Sequence, residues 1–164
     1  MNRTSLDNRY RELVVMTRPL QLSLDNNASP GHAMIAISTE GHGVEAWGFY
    51  LDTEHNGIHV RDEIEKGQWG RYDTSSVIPI SSRQYQSIIR EIERWKKKKY
   101  ILAIRDCTDF VLAMLKAAEI AAPRDTLWPS NLGDRMTGMH GAGGGRCIGN
   151  QPEGARPPVL PWRL

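Results

Sequence analysis

Two side chains of this sequence stand where covalent chemistry can be built. Cys107 lies in the stretch YILAIRDCTDFVLAMLKAAEI, and His32 opens the run HAMIAIS directly after Gly31. A cysteine nucleophile needs a base within hydrogen-bonding reach, and usually a third group to orient that base. Counted from Cys107, the residues Phe110, Val111, Met114, Leu115 and Ala118 recur at helical spacing, with Lys116 and Glu119 off that face. The spacing predicts a helix whose buried face includes the thiol. Asp106 is the expected N-cap and Asp109 its capping-box partner. A thiol in the first turn feels the positive end of the helix dipole, which favours thiolate, while the Asp106 carboxylate pushes the other way. The sequence leaves the net sign open. It also leaves open the plainer assignment, since free cysteine is among the most buried residue types and a lone Cys on an apolar helix face commonly serves the core.

Among the five histidines, His32 alone combines a stiff backbone with a position at the rim of a sheet. His42 lies between glycines and His140 in a Gly-rich tail, where neither is held firmly enough for catalysis. His55 and His59 have the spacing of helical metal ligands, but the intervening Asn56-Gly57 argues against a helix and no third ligand stands out. The strand of His32 is expected to return through Gly41-His42-Gly43 into VEAWGFYL, which places position 32 opposite 50 to 52. Asp52 is then the expected orienting carboxylate, with Tyr50 as another polar neighbour. Glu45 would lie roughly 20 Å up the strand, out of reach.

These residues need a frame. Leu13 to Val15 and Leu20 to Leu24 have strand-like patterning suited to one or two edge strands, and DNNASPG at 25–31 ends them. His32 to Ser38, apolar on both faces, reads as a central strand. Short strands are expected at Ile58 to Val60 and Val77 to Ile80. Ser81 or Ser82 caps a helix burying Tyr85, Ile88, Ile89, Ile92 and Trp95, and its lysine-rich end, Lys96 to Lys99, reads as a solvated terminus. The Cys107 helix is expected to close at Pro123, and Pro129-Ser130 to open a helical turn reaching Met136. From Gly138 the composition turns to Gly and Pro, which cannot build a core, so residues 1–137 are expected to form the domain and 138–164 a tail.

The composition, 40% hydrophobic and 24% charged, is that of an ordinary globular domain. A formal charge of +2 gives no case for nucleic acid. Cys107 and Cys147 are too few for a disulfide framework, and a bridge between them would consume the nucleophile. The first eighteen residues contain no signal-peptide core and no run of eighteen apolar residues occurs, so the expectation is a chain made in the cytoplasm, without membrane insertion. Gly141 to Gly145 lacks the Gly-Lys-Ser/Thr ending of a phosphate loop.

With Pro30-Gly31-His32-Ala33-Met34-Ile35-Ala36-Ile37, Trp47-Gly48-Phe49-Tyr50 and Asp106-Cys107-Thr108-Asp109-Phe110-Val111 in place, the sequence resembles the circularly permuted papain-like cysteine hydrolases, which include permuted NlpC-type enzymes and lecithin:retinol acyltransferase relatives. The histidine strand precedes the cysteine helix in that branch, as here. Within it, the chain is most similar to type VI secretion effectors that attack peptidoglycan peptides. The resemblance spans about residues 12 to 136 and implies an α+β fold with a small antiparallel sheet packed against helices. It further implies a Cys107 nucleophile, His32 as base, a third polar residue where Asp52 falls, and no cofactor or metal. A peptidoglycan peptide would be the substrate, an immunity protein and a secretion carrier the partners, and the periplasm of a target cell the destination. Asp106 departs from the Asn often found before the cysteine, and an acid there raises the thiol pKa. An acyltransferase or protein-directed thiol hydrolase on the same fold, and a non-catalytic binding module with Cys107 in its core, are the alternatives.

Overall fold

The computed structural model describes residues 9–18, 31–50, 58–60, 74–102, 104–124 and 128–141. Among the described residues, five antiparallel strands form one sheet: β1 (Arg11–Arg18), β2 (His32–Thr39), β3 (Gly43–Phe49), β4 (Ile58–Val60) and β5 (Thr74–Pro79), in the order β4-β3-β2-β1-β5. The described helices that follow are α1 (Ser82–Trp95), α2 (Cys107–Ala117) and α3 (Pro129–His140). The class is α+β, as expected.

β2 is the middle strand, flanked by β1 and β3, and every one of its residues is buried. Its alternation sorts two apolar clusters onto opposite faces. Ala33, Ile35 and Ile37 join Leu13, Val15, Trp47 and Phe49 beneath the helices, which contribute Ile88, Ile92 and Trp95 from α1, Phe110, Val111, Met114 and Leu115 from α2, and Leu132 and Met136 from α3. Met34 and Ala36 join Val14, Met16 and Ala46 in a smaller cluster on the other face.

The capping signals act as expected. Ser81 Oγ accepts the Gln84 N–H while the Gln84 side chain accepts the Ser81 N–H, starting α1. The expected face is buried at Ile88, Ile92 and Trp95, and the expected Cys107 face is buried from Cys107 through Ala118.

Four expectations are corrected. β1 is an interior strand, paired with β2 on one side and β5 on the other, because its apolar residues feed both clusters and it therefore needs cover on both faces. α2 ends before Pro123: Glu119 adopts φ +57° and Ile120 N–H donates back to Leu115 O at 2.9 Å, so a left-handed reversal does the stopping. β5 begins upstream of Val77, at Thr74. α3 runs on past Met136 and past the composition break at 138 to His140, whose Nε2 lies 2.7 Å from Ala121 O, so this histidine is tied to the domain.

Candidate functional site

Cys107 is the first residue of α2. The Asp106 carboxylate accepts the Thr108 and Asp109 N–H groups at 2.9 and 3.3 Å, and the Asp109 carboxylate accepts the Asp106 N–H at 3.1 Å. This reciprocal cap fixes the first turn and so the direction of the sulfur. The thiol sits against the start of β2, where the Ala33 N–H donates to it, and the Tyr100 hydroxyl donates to it from the segment before the helix. Tyr100 is held by an aromatic group at this end of the sheet: its ring is 5.3 Å from Phe49, which meets Trp95 edge-on at 5.1 Å, while Trp95 meets Phe110 at 5.5 Å. The phenol oxygen also takes a hydrogen bond from the Cys107 backbone N–H.

Cys107 is 5% exposed, and burial pushes its thiol pKa up from the ordinary value; Asp106 pushes the same way, while the donors from Ala33, Tyr100 and its own backbone oppose it. Burial decides the question the sequence left open. The Tyr100 hydroxyl is likewise pushed up, first by burial and then by Cys107 and Asp106. Cys107 is a free thiol.

His32 is the first residue of β2, one residue from the backbone that touches the sulfur. The register Met34↔Gly48 carries forward to place Tyr50 across from His32, and the two rings stack with centroids 4.2 Å apart and planes 24° from parallel. The expected hairpin register therefore holds at Tyr50. Gly48 makes the stack possible: a Cβ there would stand 2.6 Å from Tyr50 Cε2 and 2.8 Å from His32 Nε2. That contact also places the imidazole on the face of Met34 and Ala46, whereas Cys107 belongs to the face of Ala33 and Ile35. The structure thus brings both residues to one end of β2 without joining imidazole to thiol. His32 Nε2 is buried with no hydrogen-bond partner among the described residues. Burial, and then the Arg18 guanidinium from the paired position on β1, lowers its pKa to about 3, so the ring is neutral here.

Asp52 lies outside the described residues, as does His55. Glu45 pairs with Ile37, five residues from His32 along β2, which keeps it out of reach as expected. Tyr100 is the residue that sequence reasoning missed. Its only signal is a tyrosine seven positions before the cysteine, at the close of the lysine run. Among the described residues no group of three potential ligands could hold a metal ion, and no helix is long and apolar enough to cross a membrane.

Fold and site together define an α+β domain in which a cysteine-bearing helix starts against the end of a central antiparallel strand that opens on histidine. The α+β fold, without reference to these side chains, is shared with the crystal structure of the type VI secretion system effector TseH, with a TM-score of 0.55 and 16% sequence identity over 81% of this chain and 90% of that one. No protein-family model and no curated protein matches the sequence.

Proposed function

We propose that the protein is a cysteine hydrolase of the papain-like, permuted NlpC type that cleaves amide bonds in peptidoglycan stem or cross-link peptides, and that it acts as an antibacterial type VI secretion effector. The observation that carries this is the sulfur of Cys107 at a capped helix N-terminus, with the Tyr100 hydroxyl and the Ala33 N–H both aimed at it. Hydrogen-bond donors of this kind favour a thiolate, and a core cysteine has no use for them. The fold shared with a type VI effector supports delivery into a target cell and an immunity protein as partner; the periplasm as destination is part of the proposal.

In the proposed reaction, His32 is the base: the start of β2 at Gly31-His32 turns so that the ring leaves the Tyr50 stack and crosses to the face of the thiol, where it takes the Cys107 proton on its unpartnered nitrogen. The sulfur attacks the amide carbonyl carbon. The resulting oxyanion is held by the Cys107 N–H, with the Tyr100 hydroxyl as the second donor once the substrate oxygen has displaced it from that N–H. The C–N bond breaks, the leaving amine takes the proton from the imidazolium, and water then hydrolyses the thioester with His32 again as base. Asp52 is the proposed orienting acid. No cofactor enters the chemistry.

Burial of Cys107, which raises its thiol pKa, favours a second reading, in which the cysteine is a core residue of a non-catalytic binding module. One experiment separates the two. Gram-negative sacculi are incubated with wild type and with Cys107→Ala, and the released muropeptides are resolved by chromatography and mass spectrometry. Shortened stems or opened cross-links with wild type alone support the hydrolase, and the product masses name the bond. Intact sacculi, together with a Cys107 that alkylating agents modify rapidly in the folded protein, direct the thiol to another acyl substrate, such as that of an acyltransferase or protein-directed hydrolase; intact sacculi with an inert thiol support the binding module.

A further inference from the structure

Between α1 and α2 the chain reverses in a tight turn closed by paired backbone hydrogen bonds: Ile101 N–H donates to Arg105 O at 3.0 Å, and Arg105 N–H to Ile101 O at 2.7 Å. A further bond from Ile104 N–H to Ile101 O, at 3.1 Å, pins the tip. The turn turns its aliphatic side chains outward. Ile101 is 40% exposed, Leu102 60% and Ile104 75%, so half of the large hydrophobic side chains that the described surface exposes fall within four residues. Scattered exposed aliphatics call for no explanation, but a cluster pinned in one turn does.

The four residues before Tyr100 are lysines. Lys96 is paired with Glu93, whereas Lys97 and Lys99 are exposed and Lys98 lies 4.0 Å above the Trp95 ring. The nearest acids downstream, Asp106 and Asp109, are occupied by the cap of α2. Among the described residues neither Lys97 nor Lys99 has an acidic partner, so the aliphatic wedge is bordered by exposed positive charge. Three exposed side chains on one turn are too small for a stable protein interface, which takes about 800 Å² from each partner. A lipid surface has no such requirement, because the headgroup region accepts a few apolar side chains while basic residues at the rim engage anionic headgroups.

We propose that the turn closed by Ile101 and Arg105, together with Lys97, Lys98 and Lys99, docks the protein on an anionic lipid surface, with Leu102 and Ile104 entering the boundary between headgroups and acyl chains. The contact is peripheral and stands whether or not Cys107 is a nucleophile. Because Tyr100 and Cys107 flank the turn, docking also brings the candidate site to the membrane surface.

The test is co-sedimentation of the full chain with vesicles of phosphatidylcholine and phosphatidylglycerol, against vesicles of phosphatidylcholine alone, at low and high salt. Wild type is expected to bind the anionic vesicles selectively and to weaken as salt rises. Leu102→Ser with Ile104→Ser is expected to weaken binding at least about tenfold at either salt. Lys97→Gln with Lys99→Gln is expected to weaken it roughly thirtyfold at low salt and far less at high salt. All four positions are solvent-facing, and an unchanged melting temperature verifies the fold of each variant. Wild type left in the supernatant with anionic vesicles overturns the proposal, as does equal binding to both vesicle types or salt-independent binding. Wild type that ignores vesicles but self-associates through Leu102 and Ile104 also overturns it, and makes the turn a protein interface.

Discussion

His32 makes the stability of this domain depend on pH in a way that can be isolated. The ring is 5% exposed, faces Arg18 on β1 and stacks on Tyr50, and its pKa is lowered from 6.5 to about 3. A depressed histidine pKa means that the unfolded chain binds the proton more readily than the folded one. Its contribution is therefore present above the unfolded pKa and is lost as pH falls from about 6.5 toward about 3. Between pH 7 and pH 5 that loss is about 2 kcal/mol, and about 5 kcal/mol is the ceiling across the whole window, since a ring at a strand end can also escape by rotating into water. Urea unfolding of wild type and His32→Phe at pH 7, 6 and 5 measures it. Carboxylates titrate alike in both proteins, so the difference between the two curves belongs to His32. Gly48→Ala supplies an independent perturbation: a Cβ 2.8 Å from Nε2 must displace the ring, so the His32 pKa read by NMR is expected to move back toward 6.5. Parallel stability curves for wild type and His32→Phe, or an ordinary His32 pKa in the folded wild type, would refute the buried neutral imidazole.

Two further perturbations read the thiol. Tyr100→Phe removes a donor to the sulfur while keeping the ring against Phe49, so the Cys107 pKa is expected to rise further and alkylation at fixed pH to slow, by up to about tenfold for a shift of one unit. An unchanged rate would mean that the hydroxyl does not act on the sulfur. Asp106→Ala deletes the cap of Thr108 and Asp109 and is expected to cost about 1 kcal/mol in urea unfolding, whereas Asp106→Asn keeps most of the cap, removes the adjacent charge and lowers the thiol pKa. Equal stability losses in the two variants would contradict the capping role.

Much of the frame is legible in the chain. The 3.6-residue spacing from Cys107 to Ala118, the Asp106 and Asp109 pair, and the Ser81 cap are local signals that tertiary packing leaves intact. The hairpin around Gly41 to Gly43 fixes its own register and so places Tyr50 beside His32. The relation of His32 to Cys107 was hidden for a specific reason. β2 is apolar on both faces, so its alternation carries no sign of which face receives the helices, and that choice decides whether position 32 looks toward the sulfur or away from it. The interior place of β1 was obscured by Arg11, Glu12, Thr17 and Arg18 at its ends, which read as an edge. The last turn of α3 lies in glycine-containing sequence of poor helix propensity, and it is kept in place by packing at Leu132 and Met136 and by the His140 contact to Ala121. Tyr100 reaches Cys107 through the turn between α1 and α2, a relation that no periodicity encodes.

The nucleophilic character of Cys107 is read directly by its alkylation with iodoacetamide in the folded protein, in a Cys147→Ser background, as a function of pH. A nucleophilic Cys107 is modified well ahead of global unfolding, at a rate that rises with pH through a thiol pKa above the ordinary value and that His32→Ala lowers. A Cys107 that reacts only as fast as the protein unfolds, with no response to His32→Ala, would contradict a nucleophilic role and return the residue to the core.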